Sequence, residues 1–323
     1  MRFFDINEYE KSIEDINIII GGRGIGKTYS LLRYLVENGN KFVYMRTTKT
    51  ELDECCGEFG NPFKAINRDF GYDITIKPNK THGLVYSDGV LIGYAAALST
   101  FENLRGVDLS DTKYMVYDEF ISINKPRFDQ FKAFINAYET INRNRELTGS
   151  DPLRCFLLSN SQSLNNDILA GFNLIGDVER MLKFDQEKFK RGNIRVILPV
   201  ADISKEKAQT SFYKAIEQSN VYRENINNEF ANDSFYGVQR ASNINAYIPI
   251  CCIDGIYIYV HKSDQHYYVC RTPATNIPIF TSKDNYIVFM RNYGRALINV
   301  WGTDHIKYSD FTTKTAMTNI LRF

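Results

Sequence analysis

Several things are scarce in this sequence of 323 residues, and each scarcity excludes something. Net charge is almost missing, with 39 Lys and Arg against 38 Asp and Glu. That balance excludes a histone-like protein that binds a polyanion with its whole surface. Long apolar runs are missing too; they stop at about five residues, against the ~20 that a membrane-spanning helix needs. The opening Met1-Arg2-Phe3-Phe4-Asp5 meets an acid where a secretory signal would continue apolar. Six cysteines (Cys55, Cys56, Cys155, Cys251, Cys252 and Cys270) contain no C-x-x-C spacing and no histidine at ligand spacing. They suit neither a zinc cage nor a disulfide framework, and are expected to be reduced, mostly buried thiols. Repeats and low-complexity tracts are also absent. The expectation is a soluble intracellular protein with no membrane partner.

What remains is ordinary globular material, 44% apolar and 24% charged, long enough at roughly 150 residues per domain for about two domains. The even charge total conceals a division. Residues 1–180 carry 21 basic and 25 acidic side chains; residues 181–323 carry 18 and 13.

Ile16-Asn17-Ile18-Ile19-Ile20 is a β-branched run that stops at glycine and predicts a buried strand. Leu31, Leu32, Leu35 and Val36 recur at helical spacing, and Gly39 follows where a left-handed C′ residue is needed. Residues 41–46 predict a second strand, so the three elements form a βαβ unit and imply a parallel sheet. Residues 50–70 are weakly helical. Two alternating runs around Ser87-Asp88-Gly89 predict a hairpin at a sheet edge. Residues 113–118 and 154–158 predict further strands, and between them Phe128, Phe131, Phe134, Ile135, Tyr138 and Ile141 stripe one helix face. The sequence therefore divides into an α/β domain over 1–182, a basic and helical linker over 183–220, and a smaller α+β domain over 221–323. In the last, hairpins are expected around Asp254-Gly255, then a strand near 286–291 and a helix near 314–321.

Gly21-Gly22-Arg23-Gly24-Ile25-Gly26-Lys27-Thr28 matches G-x-x-x-x-G-K-[ST] in full. Glycines let backbone N–H groups converge on phosphate oxygens, and the helix that follows aims its positive end at the same anion. The nucleotide site is expected to comprise Gly21 through Thr28 together with Tyr29. Lys27 would reach the β- and γ-phosphates, and the Thr28 hydroxyl would hold Mg²⁺. Tyr114-Met115-Val116-Tyr117-Asp118-Glu119 is an apolar strand ending in two acids. Asp118 is the candidate second Mg²⁺ ligand and Glu119 the candidate base for the attacking water. Asn160, after the strand at 154–158, is a candidate γ-phosphate sensor. Arg143, at roughly 200° from Ile141 around the striped helix, points away from its apolar face and is a candidate arginine finger for a neighbouring subunit. Arg105 is the alternative. Basic residues Lys188, Lys190, Arg191, Arg195, Arg291, Arg295 and Lys307 are candidates for nucleic-acid contact. Tyr257, Tyr259, Tyr267 and Tyr268 could stack on bases or form the face of a sheet core.

The ordered set Gly-x-Arg-Gly-Ile-Gly-Lys-Thr, Val-Tyr-Asp-Glu-Phe, Arg-Asn-Arg-Glu and Leu-Ser-Asn resembles the double-stranded DNA packaging ATPases of phi-29-like tailed bacteriophages over residues 1–175. The resemblance implies a P-loop ATPase fold of the additional-strand, catalytic-glutamate (ASCE) class with a mostly parallel sheet. It implies a C-terminal domain like an RNase H nuclease without its catalytic carboxylates. It further implies a homomeric ring, with a pentamer expected, that uses ATP and Mg²⁺, docks on the capsid portal and threads double-stranded DNA. A packaging RNA is a further candidate partner. The expected location is the host cytoplasm, transiently at the procapsid portal vertex. On this resemblance Lys27 and Thr28 match the nucleotide site, Asp118 and Glu119 the metal and water site, and Arg143 the trans-acting arginine. The residues alone also fit a helicase-like ring ATPase, or a nucleotide-gated scaffold that moves nothing.

Overall fold

A five-residue β-branched run that stops at glycine suits a strand covered on both faces, and that is the setting of β1 (Ile16–Ile20). In the computed structural model it lies inside a nine-stranded sheet. The structure describes residues 3–104, 106–122, 126–199, 201–226, 237–264, 266–301 and 303–321. They fall into two units, Met1–Asp233 and Ser234–Phe323.

In the first unit the other strands are β2 (Phe42–Arg46), β3 (Ile74–Pro78), β4 (Gly83–Ser87), β5 (Val90–Ala97), β6 (Tyr114–Asp118), β7 (Arg154–Ser159), β8 (Lys188–Arg191) and β9 (Ile194–Ile197). Their spatial order is β3-β4-β5-β2-β6-β7-β1-β9-β8. The six strands from β5 to β9 in that order are mutually parallel, and antiparallel hairpins form each edge. One strand, β7, stands between β1 and β6. That inserted strand is the arrangement expected of an additional-strand ATPase.

Helix α1 (Lys27–Glu37) buries Leu31, Leu32 and Leu35 against the sheet, as their spacing requires. The weakly helical segment is two short helices, α2 (Lys49–Cys56) and α3 (Lys64–Phe70). A capping box between Thr48 and Glu51 starts the first. Helix α4 (Gln130–Asn142) buries Phe134, Ala137 and Ile141 of its apolar stripe. Helices α5 (Asp167–Gly171), α6 (Ile175–Lys183), α7 (Asp202–Ala208), α8 (Ser211–Ala215) and α9 (Asn220–Asn225) complete the unit. Phe156 on β7 is fully buried in the core. Phe156→Ala is expected to cost about 3–5 kcal/mol and to lower the melting temperature by about 10 °C, read by circular dichroism.

One expectation is corrected here. The basic stretch placed in a linker over 183–220 supplies β8 and β9, and β9 pairs in parallel with β1 from Ile16↔Ile194 to Ile19↔Ile197. The apolar residues Ile194, Val196 and Ile197 carry that pairing. The density of Lys and Arg concealed a strand whose cations sit at the sheet's rim.

The second unit holds a five-stranded sheet in the order β13-β10-β11-β12-β14. Its strands are β10 (Tyr247–Ile253), β11 (Ile256–His261), β12 (Tyr267–Cys270), β13 (Ile279–Phe280) and β14 (Ile306–Tyr308). The Asp254-Gly255 turn joins β10 to β11, with both residues at positive φ. The strand expected near 286–291 is instead helical: α10 (Tyr286–Phe289), a π-helical turn (Met290–Gly294) and α11 (Arg295–Asn299). Phe289, Tyr293 and Leu297 recur every four residues and pack on the core, a helical period that a six-residue window hides. Helix α12 (Phe311–Leu321) covers the same core with Met317 and Ile320.

Candidate active site

Strand β1 ends at a glycine loop whose local geometry only glycine adopts without strain. Gly24 has φ +74° and Gly26 has φ +95°. Gly26 caps α1 without a side chain, so no side chain of the cap satisfies the first-turn N–H groups. Those donors and the helix dipole make the loop an anion cradle. Arg23 is exposed, while Ile25 turns its side chain into the core and leaves only backbone to the site.

Lys27 is buried and donates to the carbonyls of Gly21 and Gly22, both at 2.9 Å, and to Asn160 Oδ1 at 3.1 Å. Burial pushes its pKa down to about 8, against the pull of Asp118 and Glu119. Asn160 thus stands beside the loop because β7 lies next to β1. The Thr28 hydroxyl lies 3.1 Å from each carboxylate oxygen of Asp118. Asp118 is buried at the end of β6 and also accepts from the Tyr44 hydroxyl at 2.9 Å. Burial raises its pKa, opposed by Arg46 and by the hydrogen bonds from Tyr44 and Thr28.

This donor set fits Mg²⁺. The ion prefers hard oxygens at 2.0–2.1 Å in an octahedron, which places neighbouring ligand oxygens about 2.9 Å apart. The spacing between Thr28 and Asp118 is close to that, and a dication would supply the positive charge that the buried carboxylate needs.

Glu119 is one step beyond β6 with φ +53°, a left-handed conformation rare for glutamate and common at working sites. That turn breaks the alternation of the strand and brings Glu119 to the same side as Asp118. Arg46, at the end of β2, touches both: its guanidinium is 2.6 Å from Glu119 and 4.0 Å from Asp118. The buried Nε of Arg46 has no hydrogen-bond partner among the described residues. An orphaned guanidinium nitrogen here suits a site completed by phosphate oxygens.

A cavity of about 600 Å³ adjoins the loop, lined by Phe3, Phe4, Gly26, Tyr29, Arg33 and Arg68 among others. Tyr29 donates to Asp69 at 2.9 Å and forms part of that wall. The strand order thus gathers Lys27, Thr28, Asp118, Glu119 and Asn160, with Tyr29 at the margin.

Arg143 lies elsewhere. It ends α4 in a left-handed conformation, half exposed, and among the described residues its side chain reaches Asp108 at 3.4 Å and the Val107 carbonyl at 3.0 Å. Arg145 by contrast spends its donors on the carbonyls of Ile141, Asn142 and Thr112. Arg105 falls outside the described residues.

The sequence reading assigned no role to four groups. Tyr44 lies within β2 and Arg46 ends it, beside Asp118 on β6; a cation closing an apolar strand was the available signal. Lys207 on α7 donates to the Arg23 carbonyl at 2.5 Å, and the Asn225 carbonyl packs on Gly22 so closely that a Cβ there would meet it at 2.5 Å. Nothing in the spacing marks either contact, which joins residues some 180 to 200 positions apart.

The basic rim residues are engaged within their own unit. Lys190 pairs with Glu14 at 2.6 Å, Arg195 approaches the same carboxylate at 3.8 Å, Arg191 pairs with Asp177 at 2.6 Å, and Lys188 lies over the Tyr9 ring. Tyr259 and Tyr268 are buried in the second sheet, which excludes them as base-stacking platforms.

Comparison with known proteins follows the same direction. The sequence matches the family described as Podovirus DNA encapsidation protein (Gp16) over residues 3–287. The DNA packaging protein of Bacillus phage phi29 is 25% identical over 283 residues, covering 83% of this chain and 80% of that protein. Its counterpart in Bacillus phage B103 is 28% identical over 242 residues, covering 72% and 70%. Among solved structures, a chain of the bacteriophage phi29 genome packaging motor assembly shares the fold with a TM-score of 0.71 at 22% identity, covering 100% of this chain and 99% of that one. The crystal structure of the N-terminal domain of the phi29 DNA packaging ATPase matches with a TM-score of 0.50 at 27% identity, covering 61% of this chain and 96% of that one. No helix among the described residues is long and apolar enough to cross a membrane. With the family matched over most of its length and the phosphate loop, oxygen pair and terminal acid gathered at one sheet edge, this chain belongs to the podovirus DNA encapsidation protein (Gp16) family.

Proposed function

We propose that this chain is the ATP-hydrolysing subunit of a motor that moves double-stranded viral DNA into a preformed capsid. The observation that carries the reading is the convergence of Lys27, the Thr28–Asp118 pair and Glu119 at one edge of the sheet, in a member of a DNA encapsidation family. ATP is the substrate. Its phosphates take the loop N–H groups, and Lys27 exchanges two neutral carbonyls for charged phosphate oxygens, a stronger partner. The base occupies the cavity beside Gly26 and Tyr29.

Thr28 and Asp118 would hold Mg²⁺, which when bound offsets the charge of the phosphates. Glu119 must leave Arg46 to accept a proton from the attacking water, and Arg46 is then free to meet phosphate. Asn160, already on Lys27, is placed to sense whether the γ-phosphate is present. Arg143 reaches no group of the loop in its own chain; it serves the site of the next subunit in a homomeric ring, which we take to be a pentamer. The second unit is a docking module related to RNase H-like nucleases but without their two-metal chemistry. Among the described residues its acids form no carboxylate cluster able to hold ions. The motor works at the procapsid portal in the host cytoplasm, with portal and DNA as partners and a packaging RNA as a further one.

The test supplies purified protein, portal-bearing procapsids, DNA and Mg²⁺–ATP, and digests unpackaged DNA with nuclease. Protection of DNA that needs ATP is the expected result. Strand separation without protection would instead indicate a helicase-like ring, and ATP hydrolysis indifferent to DNA and procapsids a nucleotide-gated scaffold.

A further inference from the structure

Two of the four histidines in the sequence meet one carboxylate at the turn between β11 and β12. The hairpin is closed by a hydrogen bond from the His261 N–H to the His266 carbonyl at 2.9 Å, which fixes both residues on the same turn. Asp264 Oδ1 lies 2.8 Å from His261 Nδ1 and 2.6 Å from His266 Nδ1. The imidazole rings stack, with centroids 4.8 Å apart and planes 14° from parallel. One ligand atom from each of the three residues lies within 4.8 Å of the others. Tyr247, paired with His261 across β10 and β11, places its hydroxyl 2.8 Å from His266 Nε2. Lys262, the cation in the turn, is drawn onto the Asn245 carbonyl at 2.7 Å.

We infer that His261, His266 and Asp264 form a binding site for a divalent transition-metal ion of the zinc class. Two imidazole nitrogens and one carboxylate oxygen are a borderline-soft set, suited to Zn²⁺ or Co²⁺ and unsuited to the all-oxygen shells of Mg²⁺ and Ca²⁺. A tetrahedral ion with ligands at about 2.0–2.1 Å spaces them about 3.3 Å apart. The ligand atoms all lie within 4.8 Å of one another, so small rotations of the two partly buried imidazoles and the exposed carboxylate reach that spacing. Both Nδ1 atoms already face the same carboxylate oxygen. Tyr247 completes the arrangement from behind: when Nδ1 of His266 holds the ion, Nε2 carries the proton and the Tyr247 oxygen accepts it, an outer contact that fixes the ring. Three protein ligands leave a fourth position for water. The ion would tie the end of β11 to the turn that leads into β12, and the site shares no residue with the one that handles ATP.

The experiment titrates Co²⁺ and then Zn²⁺ into the full-length protein with Mg²⁺–ADP present in excess to saturate the nucleotide site. About one equivalent is expected, with the visible absorption of a tetrahedral nitrogen–oxygen set. Thiolate ligation would give intense near-ultraviolet bands and would place the ion on cysteine instead. Tyr247→Phe should weaken binding by about 10-fold or more, and the double variant His261→Ala/His266→Ala should lose it. Should that variant unfold by circular dichroism, His261→Gln alone is titrated with the same expectation. Absence of binding in the wild type, ligation by thiolate, or undiminished binding in the histidine variants overturns the assignment.

Discussion

Glu119→Gln is expected to lower DNA-stimulated ATP turnover by about 10²–10⁴-fold while leaving ATP affinity nearly unchanged. Glutamine keeps the size of the side chain and can still contact Arg46, but it cannot accept the proton of the attacking water. Three features single out this acid. It sits one residue after the buried Asp118, its φ of +53° turns it onto the same side, and it is the more exposed of the two. Asp118 cannot take the role, because the hydroxyls of Thr28 and Tyr44 occupy its oxygens. The measurement pairs steady-state hydrolysis with binding of a fluorescent ATP analogue. Turnover within a few-fold of wild type would mean that another group serves as base, and lost affinity would mean that Glu119 acts in binding.

Arg143→Ala should be as damaging, lowering turnover in the assembled ring by about 10³–10⁵-fold. It should do so without unfolding the chain. Among the described residues its side chain makes one long ion pair to Asp108 and one carbonyl bond, both at the surface. Such an arginine is held outward at a helix end rather than employed in the core. Arg143→Lys should recover only part of the loss, since lysine keeps the charge but not the planar fork that meets two phosphate oxygens at once. A thermal melt run beside the hydrolysis assay separates the two effects: activity falls and the melting temperature holds.

Much of the site was legible because its chemistry is local. The glycine loop, its preceding strand and its following helix are contiguous, and Asp118 with Glu119 closes an apolar strand. Asn160 could be placed beside Lys27 once its strand was assigned to the neighbourhood of the loop. What escaped depends on contacts between distant segments. Arg46 joins the site because β2 is adjacent to β6, and no spacing along the chain encodes that. Lys207 and Asn225 reach the loop from helices some 180 to 200 residues later. The strand β9 is hidden in the basic stretch because its four residues are too short a run for their apolar pattern to stand out against the surrounding Lys and Arg. The strand near residue 286 failed because the helical period of Phe289, Tyr293 and Leu297 extends past the short apolar run.

Mixing two inactive variants tests most directly whether each ATP site is completed by the neighbouring subunit. Glu119→Gln subunits keep Arg143, and Arg143→Ala subunits keep Glu119. In rings assembled from equal amounts, roughly a quarter of the interfaces join an intact acid to an intact arginine. The mixture should therefore hydrolyse ATP well above either variant alone. A mixture as inactive as its components, or a pure Arg143→Ala ring with full activity, would contradict the account.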